Sequence, residues 1–299
     1  MRLHQPMTAL DALERFLAEP GIREAVAARE ILPAREAAFA PFPQWLDQRL
    51  VEALEGRGIS ALYSHQREAL DALHGGEDVV IVTPTASGKS LCYNLPVLQE
   101  ICEDPAARGL YLFPTKALSQ DQLAEFRDLS GQARLDLSAA VYDGDTPAPI
   151  RAVVREAGQV VVTNPDMLST AVLPHHTKWF QLFEQLRYIV VDEAHTYRGI
   201  FGSHVANVLR RLLRVCAHYG SSPRIVCSSA TVGNPGELAQ TLTGRPFRVI
   251  DKSGAPTGER HVVVLEPPPL DRRTGVRPGP HAMAYRAALS FLRAGRQTI

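Results

Sequence analysis

Thr83-Pro84-Thr85-Ala86-Ser87-Gly88-Lys89-Ser90 lies between the apolar run Val79–Val82 and the helix-compatible Leu91–Leu95. A strand, a tight loop of small residues and a helix N-terminus together build a phosphate cradle. Loop N–H groups converge on the anion, and the helix macrodipole favours negative charge there. In that setting Lys89 reaches the β- and γ-phosphates and the Ser90 hydroxyl is a Mg²⁺ ligand. The usual G-x-x-x-x-G-K-[ST] pattern opens on glycine, whereas Thr83 stands at that position here.

Roughly a hundred residues further on, the apolar run Ile189-Val190-Val191 leads into Asp192-Glu193-Ala194-His195. Adjacent carboxylates at a strand end complement a phosphate loop: one holds Mg²⁺, usually through water, and the next orients or deprotonates the attacking water. Asp192 is assigned to the metal and Glu193 to the water. Cys227-Ser228-Ser229-Ala230-Thr231 ends another apolar run. Hydroxyls such as those of Ser229 and Thr231 can hydrogen-bond a neighbouring strand-end side chain such as His195.

Such motifs need a frame that aligns strand ends. From Gly58 to about Val249, short β-branched runs alternate with helical stretches: Asp78–Val82, Leu110–Phe113, Ala139–Val141, Val160–Thr163, Tyr188–Val191 and Arg224–Ser228. Near-continuous apolar strands separated by amphipathic helices predict an α/β fold, a parallel sheet with helices on both faces. Ligands bind outside the carboxyl ends of such strands, where these motifs fall. Residues 1–57, rich in Ala, Glu and Arg, read as an accessory region of two or three short helices. Residues 251–280, rich in Pro, Gly and Arg, read as a linker interrupted by the strand-like His261–Leu265. Within 281–299, His281–Arg293 can form a helix and Gln297–Ile299 can open a strand.

With 45% hydrophobic and 21% charged residues, the composition is that of an ordinary globular chain. No apolar run approaches the roughly 18 residues of a membrane span, and the N-terminus lacks a signal peptide's apolar core. Four cysteines are scattered without a C-x-x-C pair. They read as buried residues of a reducing compartment, which points to the cytoplasm. The 32 basic and 32 acidic residues cancel, so any case for nucleic acid rests on motifs. Arg210, Arg211 and Arg214 read as a solvated helix face. His175 and His176 lack the further ligands of a metal site and read as a loop cap or groove contact.

With the phosphate loop, D-E-A-H and S-A-T in this order, the chain resembles the first RecA-like lobe of a superfamily 2 DEAD/DEAH-box helicase over about Gly58–Ile250. Leu62–Gln66 resembles the Q-motif, which implies that Gln66 reads adenine. Pro114–Gln122 resembles motif Ia, Thr163–Leu168 motif Ib, and Tyr142–Thr146 the small glycine-containing motif between them. Asp192–Gly199, Phe201–Val205 and Leu173–His176 are similar to the bacterial mitomycin repair factor A group and its fungal RecQ-related cousins.

The resemblance implies an ATP-dependent DNA translocase of 3′-to-5′ polarity acting in DNA repair, with Thr115, Lys116, Thr163 and Asn164 gripping the backbone of single-stranded nucleic acid. Such contacts carry no base information and weaken with salt. Family members also carry a second RecA-like lobe and a C-terminal zinc-binding cysteine cluster. Here residues 281–299 read only as the start of that lobe, and the cluster is not in this sequence. The second lobe supplies an arginine finger, a contribution of about 10³–10⁵ in rate. The 299-residue chain is therefore expected to hydrolyse ATP poorly by itself and the full protein to continue past Ile299. An RNA helicase with the same core and a non-hydrolysing nucleotide-gated clamp are the alternative readings.

Overall fold

β-Branched residues favour extended backbone because their side chains pack well on a pleated surface. In the computed structural model all six expected runs carry strands, and a seventh joins them. They are β1 (Val79–Ile81), β2 (Arg108–Leu112), β3 (Ala139–Val141), β4 (Val160–Thr163), β5 (Leu186–Val191), β6 (Arg224–Ser228) and β7 (Arg248–Ile250). All pair in parallel, in the spatial order β7-β1-β6-β5-β2-β4-β3. The seventh was invisible as an apolar run because it is a sheet edge in which only Ile250 is buried. The structure describes residues 7–267, 269, 273, 275–277 and 279–298. Met1–Pro6 of the accessory region, six positions of the linker (268, 270–272, 274 and 278) and Ile299 lie outside the described residues.

The two-residue period of a strand sends alternate side chains to opposite faces, and both faces are buried. Val79, Ile81, Tyr188 and Val190 face a core shared with helices α1 (Ser64–His74), α2 (Lys89–Glu103) and α3 (Lys116–Gln132). Val80, Val82, Ile189 and Val191 face a second core closed by α4 (Ala148–Ala157), α5 (Gly199–His218), α6 (Pro235–Thr243) and the turn bearing Trp179. Both cores belong to one unit, residues 36–256.

Residues 1–35 and 257–299 form another unit. In it, helix Ala9–Leu17 begins at a capping box in which Thr8 and Asp11 satisfy each other's backbone N–H groups. The expected series of short helices, which resumes at Gln48–Gly56, is interrupted here: Val26–Leu32 is a strand, paired antiparallel with Arg260–Leu265. Its Ala, Arg and Glu residues favour helix locally, and backbone pairing overrides that weak preference. The stretch read as a linker thus contributes a strand, and helix Pro280–Arg293 follows it. Phe16 packs against Phe291 with ring centroids 6.4 Å apart. Gln297 and Thr298 are in no regular element. Among the described residues no helix is long and apolar enough to cross a membrane. All four cysteines are free, and Cys92, Cys216 and Cys227 are buried.

Helix α3 is anchored to the sheet through Phe126, 1% exposed, whose ring meets Tyr111 edge-on at 5.8 Å. We expect Phe126→Ala to lower unfolding free energy by about 3–5 kcal/mol, because truncating a buried aromatic loses transfer energy and leaves a cavity. Urea denaturation of both proteins measures it; a loss under 1 kcal/mol would mean that α3 is held elsewhere.

Candidate functional site

Thr83–Gly88 leaves β1 as a tight loop that takes two left-handed residues to close, Ala86 at φ 61° and Gly88 at φ 77°. The Thr83 and Ser87 hydroxyls, both buried, share a hydrogen bond of 2.6 Å inside it. α2 then starts at Lys89, so the helix N-terminus faces the loop. The Lys89 ammonium folds back over its own loop and donates to the carbonyls of Thr83 (2.7 Å) and Pro84 (3.2 Å). Ser90 Oγ donates to Glu125 Oε1 of α3 at 2.8 Å.

Gln66, 2% exposed on α1, does something the sequence did not reveal. Its Oε1 accepts from Tyr63 N–H and its Nε2 donates to the Gly88 carbonyl, both at 2.9 Å. Each end of the amide meets backbone, so the side chain braces the loop while keeping a second N–H and a second lone pair. A Cβ on Gly88 would lie 2.6 Å from Gln66 Nε2. Glycine is thus demanded twice there, by its left-handed φ and by this close approach.

Asp192 follows β5 and is buried; its Oδ1 accepts from Glu193 N–H at 2.9 Å. Glu193 sits at φ 51°, a left-handed conformation that costs a non-glycine residue roughly 1–2 kcal/mol. Backbone strain of this kind clusters at functional sites. Beside Asp192 lies Tyr93 of α2, whose phenol donates to Gln122 Oε1 at 2.8 Å and stands 3.5 Å from Asp192 Oδ2, the outer limit for a hydrogen bond. Burial pushes the Tyr93 phenol well above its ordinary range, so it remains an O–H donor.

His195 Nδ1 lies 3.1 Å from Ala230 N and 3.2 Å from Glu193 Oε2. One ring nitrogen cannot accept from an amide and donate to a carboxylate at once, so these contacts are alternatives that belong to different ring tautomers. The structure corrects one expectation here. His195 meets the Ala230 main chain, not a hydroxyl, because Ser229 Oγ donates to the Ala230 carbonyl (2.9 Å) and Thr231 is exposed.

Along the same edge, Thr115 caps α3 and Lys116 pairs with Asp145 of the Tyr142–Thr146 loop. That hydrogen bond raises the Lys116 pKa above its ordinary value. Arg151, unnoticed in the sequence, pins the loop through the carbonyls of Thr146, Asp143 and Gly144. Asn164 caps the turn after β4 through Met167 N–H. Thr163 departs from expectation: it is 1% exposed, and its hydroxyl donates inward to the Tyr142 carbonyl at 2.6 Å. Its side chain has no face on the groove.

The polar segments are thus sorted by strand position. The Thr83–Ser90 loop, Ser229–Thr231 and Asp192–His195 leave the adjacent strands β1, β6 and β5; Thr115–Lys116 and Asn164 follow their neighbours β2 and β4. Of the other candidates, Arg210 donates to the Thr241 carbonyl, and His176 joins an aromatic group with His218 and Tyr219. Among the described residues no three His, Cys, Asp or Glu side chains converge as metal ligands. The roles of Gln122 and Glu125 on α3 and of Tyr93 on α2 were missed because an i, i+3 spacing relates only the first two and no local pattern ties them to Ser90 or Asp192.

Residues 63–238 match the sequence profile of the DEAD/DEAH box helicase family. The Bacillus subtilis protein called uncharacterized ATP-dependent helicase YprA is 53% identical over 270 residues, covering 90% of this chain and 36% of that protein. The ATP-dependent helicase HRQ1 of Saccharomyces cerevisiae is 42% identical over 224 residues, 73% of this chain and 21% of that one. The crystal structure of the DUF1998 helicase MrfA bound to DNA superposes with a TM-score of 0.92 at 48% identity, covering 97% of this chain and 38% of that chain. The chain therefore spans between 21% and 38% of the length of these relatives. With its seven-stranded parallel sheet of RecA-like helicase fold, the chain belongs to the DEAD/DEAH box helicase family.

Proposed function

We propose that this chain is the nucleotide-binding lobe of an ATP-dependent DNA helicase that grips single-stranded DNA, moves 3′-to-5′ and serves DNA repair in the cytoplasm. In this reading residues 58–250 are the motor lobe and residues 281–299 open a second RecA-like lobe. The observation that carries the proposal is the convergence, on the ends of the adjacent strands β1, β6 and β5, of Lys89 and Ser90, of Ser229–Thr231, and of Asp192, Glu193 and His195. DNA is favoured over RNA because MrfA, 48% identical to this chain, was crystallised with DNA. A second MrfA structure, bound to DNA and AMPPNP, covers 96% of this chain and supports ATP as the nucleotide.

The residues present fit a Mg²⁺·nucleotide. Lys89 has only neutral carbonyls as partners, an arrangement that a phosphate oxygen can replace with a stronger charge-assisted bond. The loop opens on a helix N-terminus and has no side chain at Gly88. Ser90 and Asp192 would hold Mg²⁺, with the remaining positions left to water and phosphate. When bound, that ion neutralises charge on the β- and γ-phosphates. Lys89 stabilises the same charge, and Glu193 takes a proton from, or orients, the attacking water. His195 chooses between Glu193 and the Ala230 amide, a contact through which the water-orienting acid is linked to the end of β6. Thr115 and Lys116 present a hydroxyl and an ammonium at the start of α3, where a strand phosphate displaces Asp145. Asn164 adds an amide beside them.

Three measurements test this. In the chain together with the region that its relatives carry beyond it, single-stranded DNA should stimulate ATP hydrolysis. Glu193→Gln should lower that turnover by about 10²–10⁴-fold while ATP still binds; turnover that survives the change removes Glu193 from the chemistry, and binding without turnover in the wild type supports a clamp. Gly88→Ala should weaken ATP binding at least tenfold, the equivalent of about 1.4 kcal/mol, as read by calorimetry. Lys116→Ala should weaken DNA binding and make its logarithmic salt dependence shallower by about 0.7 for the lost phosphate contact; an unchanged slope would take Lys116 out of the groove.

A further inference from the structure

Helix α3 reaches both residues proposed as metal ligands. Its Glu125 accepts from Ser90 Oγ at 2.8 Å. Three residues earlier, on the same helical face, Gln122 accepts from Tyr93 at 2.8 Å and so holds the phenol 3.5 Å from Asp192 Oδ2. Tyr93 is 2% exposed and Asp192 8%, so this second connection runs through the interior. Neither Gln122 nor Glu125 belongs to the phosphate loop or the D-E-A-H segment.

A serine hydroxyl has one proton and two lone pairs, and its rotor turns to suit its partners. To ligate a cation, the oxygen must present a lone pair and point its proton away. An ionised carboxylate is acceptor-only, so the Ser90–Glu125 bond has one sense: the proton lies toward Glu125 and the lone pairs are left to face elsewhere. A hydrogen bond to a charged acceptor is about twice as strong as a neutral one. Outer partners of this kind fix the orientation of metal ligands, and their loss typically costs 10–100-fold in metal affinity.

We propose that Glu125 is a positioning residue for the Mg²⁺ site, holding the Ser90 hydroxyl in the one rotamer that can ligate, with Gln122 restraining Tyr93 beside Asp192. This rests on the phosphate-loop reading above and deepens it. Because α3 begins at Thr115–Lys116, the helix expected to touch the DNA strand is also the one that orients the metal's ligands.

The test is binding of a fluorescent ATP analogue by the full chain, titrated with Mg²⁺ and compared with the same titration in EDTA, with thermal midpoints confirming the fold of each variant. Glu125→Ala should reduce the Mg²⁺-dependent gain in affinity about tenfold. Glu125→Gln retains an acceptor oxygen for Ser90 and should stay within about threefold of wild type, a loss of under 0.7 kcal/mol. In a Ser90→Ala background, Glu125→Ala should change the gain by less than twofold, because no hydroxyl remains to orient. If Glu125→Gln loses as much as Glu125→Ala, the carboxylate acts by charge and the positioning role is overturned. If Glu125→Ala matches a Mg²⁺-responsive wild type, the assignment fails while the phosphate-loop reading stands. A wild type indifferent to Mg²⁺ overturns both.

Discussion

A parallel sheet buried on both faces leaves polar chemistry only one place to sit. Val79 to Val82 and Tyr188 to Val191 alternate between two apolar cores, so no polar side chain along those runs has water on either side. Hydrogen-bonding groups are displaced to the strand ends, and there the ends of five neighbouring strands lie in a row. The arrangement of the candidate site follows from this one constraint. Each loop is held in place by the strand before it, and the strands are held in place by burial.

Within that row, the most demanding point is Gly88. Left-handed backbone, a helix N-terminus and the amide of Gln66 meet there, and the Gln66 side chain ties the loop to Tyr63 on a separate segment. Glu193 accepts a similar left-handed geometry with a full side chain. The strain places its carboxylate beside His195 while Asp192 keeps the Glu193 amide. Glu193, like Ala86 inside the phosphate loop, thus holds a backbone conformation that local preference disfavours, whereas Gly88 adopts it freely. A sequence whose local and global preferences agree nearly everywhere is expected to break them at such sites.

The edge proposed to meet nucleic acid is more exposed at Thr115 and Lys116. Lys116 and Asp145 pair at the surface, where an ion pair contributes little to stability and is easily exchanged for a phosphate. Thr163 shows how a residue type alone can mislead. A threonine at a strand end is an apt phosphate donor, yet this one is buried under the Tyr142 carbonyl, and Asn164, one residue on, is half-buried. The alternation of a strand decides which of two neighbours faces outward, and the last residue of β4 falls on the inner side.

Much of this molecule was legible before its structure. The apolar runs fixed six of the seven strands of the main sheet because burial on both faces demands unbroken β-branched residues, and the small-residue loop followed by lysine and serine announced the strand–loop–helix turn proposed to cradle phosphate. Local sequence also carried Asp192 and Glu193 to a strand end. Only the tertiary structure decided which strand ends are neighbours. In sequence the segments run phosphate loop, Thr115, Asn164, Asp192, Ser229; in space the order is β1, β6, β5, β2, β4, which gathers the groups proposed for the nucleotide at one end and those proposed for nucleic acid at the other. It alone joined Val26–Leu32 to Arg260–Leu265 across the length of the chain. It alone brought Glu125 to Ser90. Contacts between elements far apart in sequence depend on the order and register of strands, and no local pattern of residues encodes those.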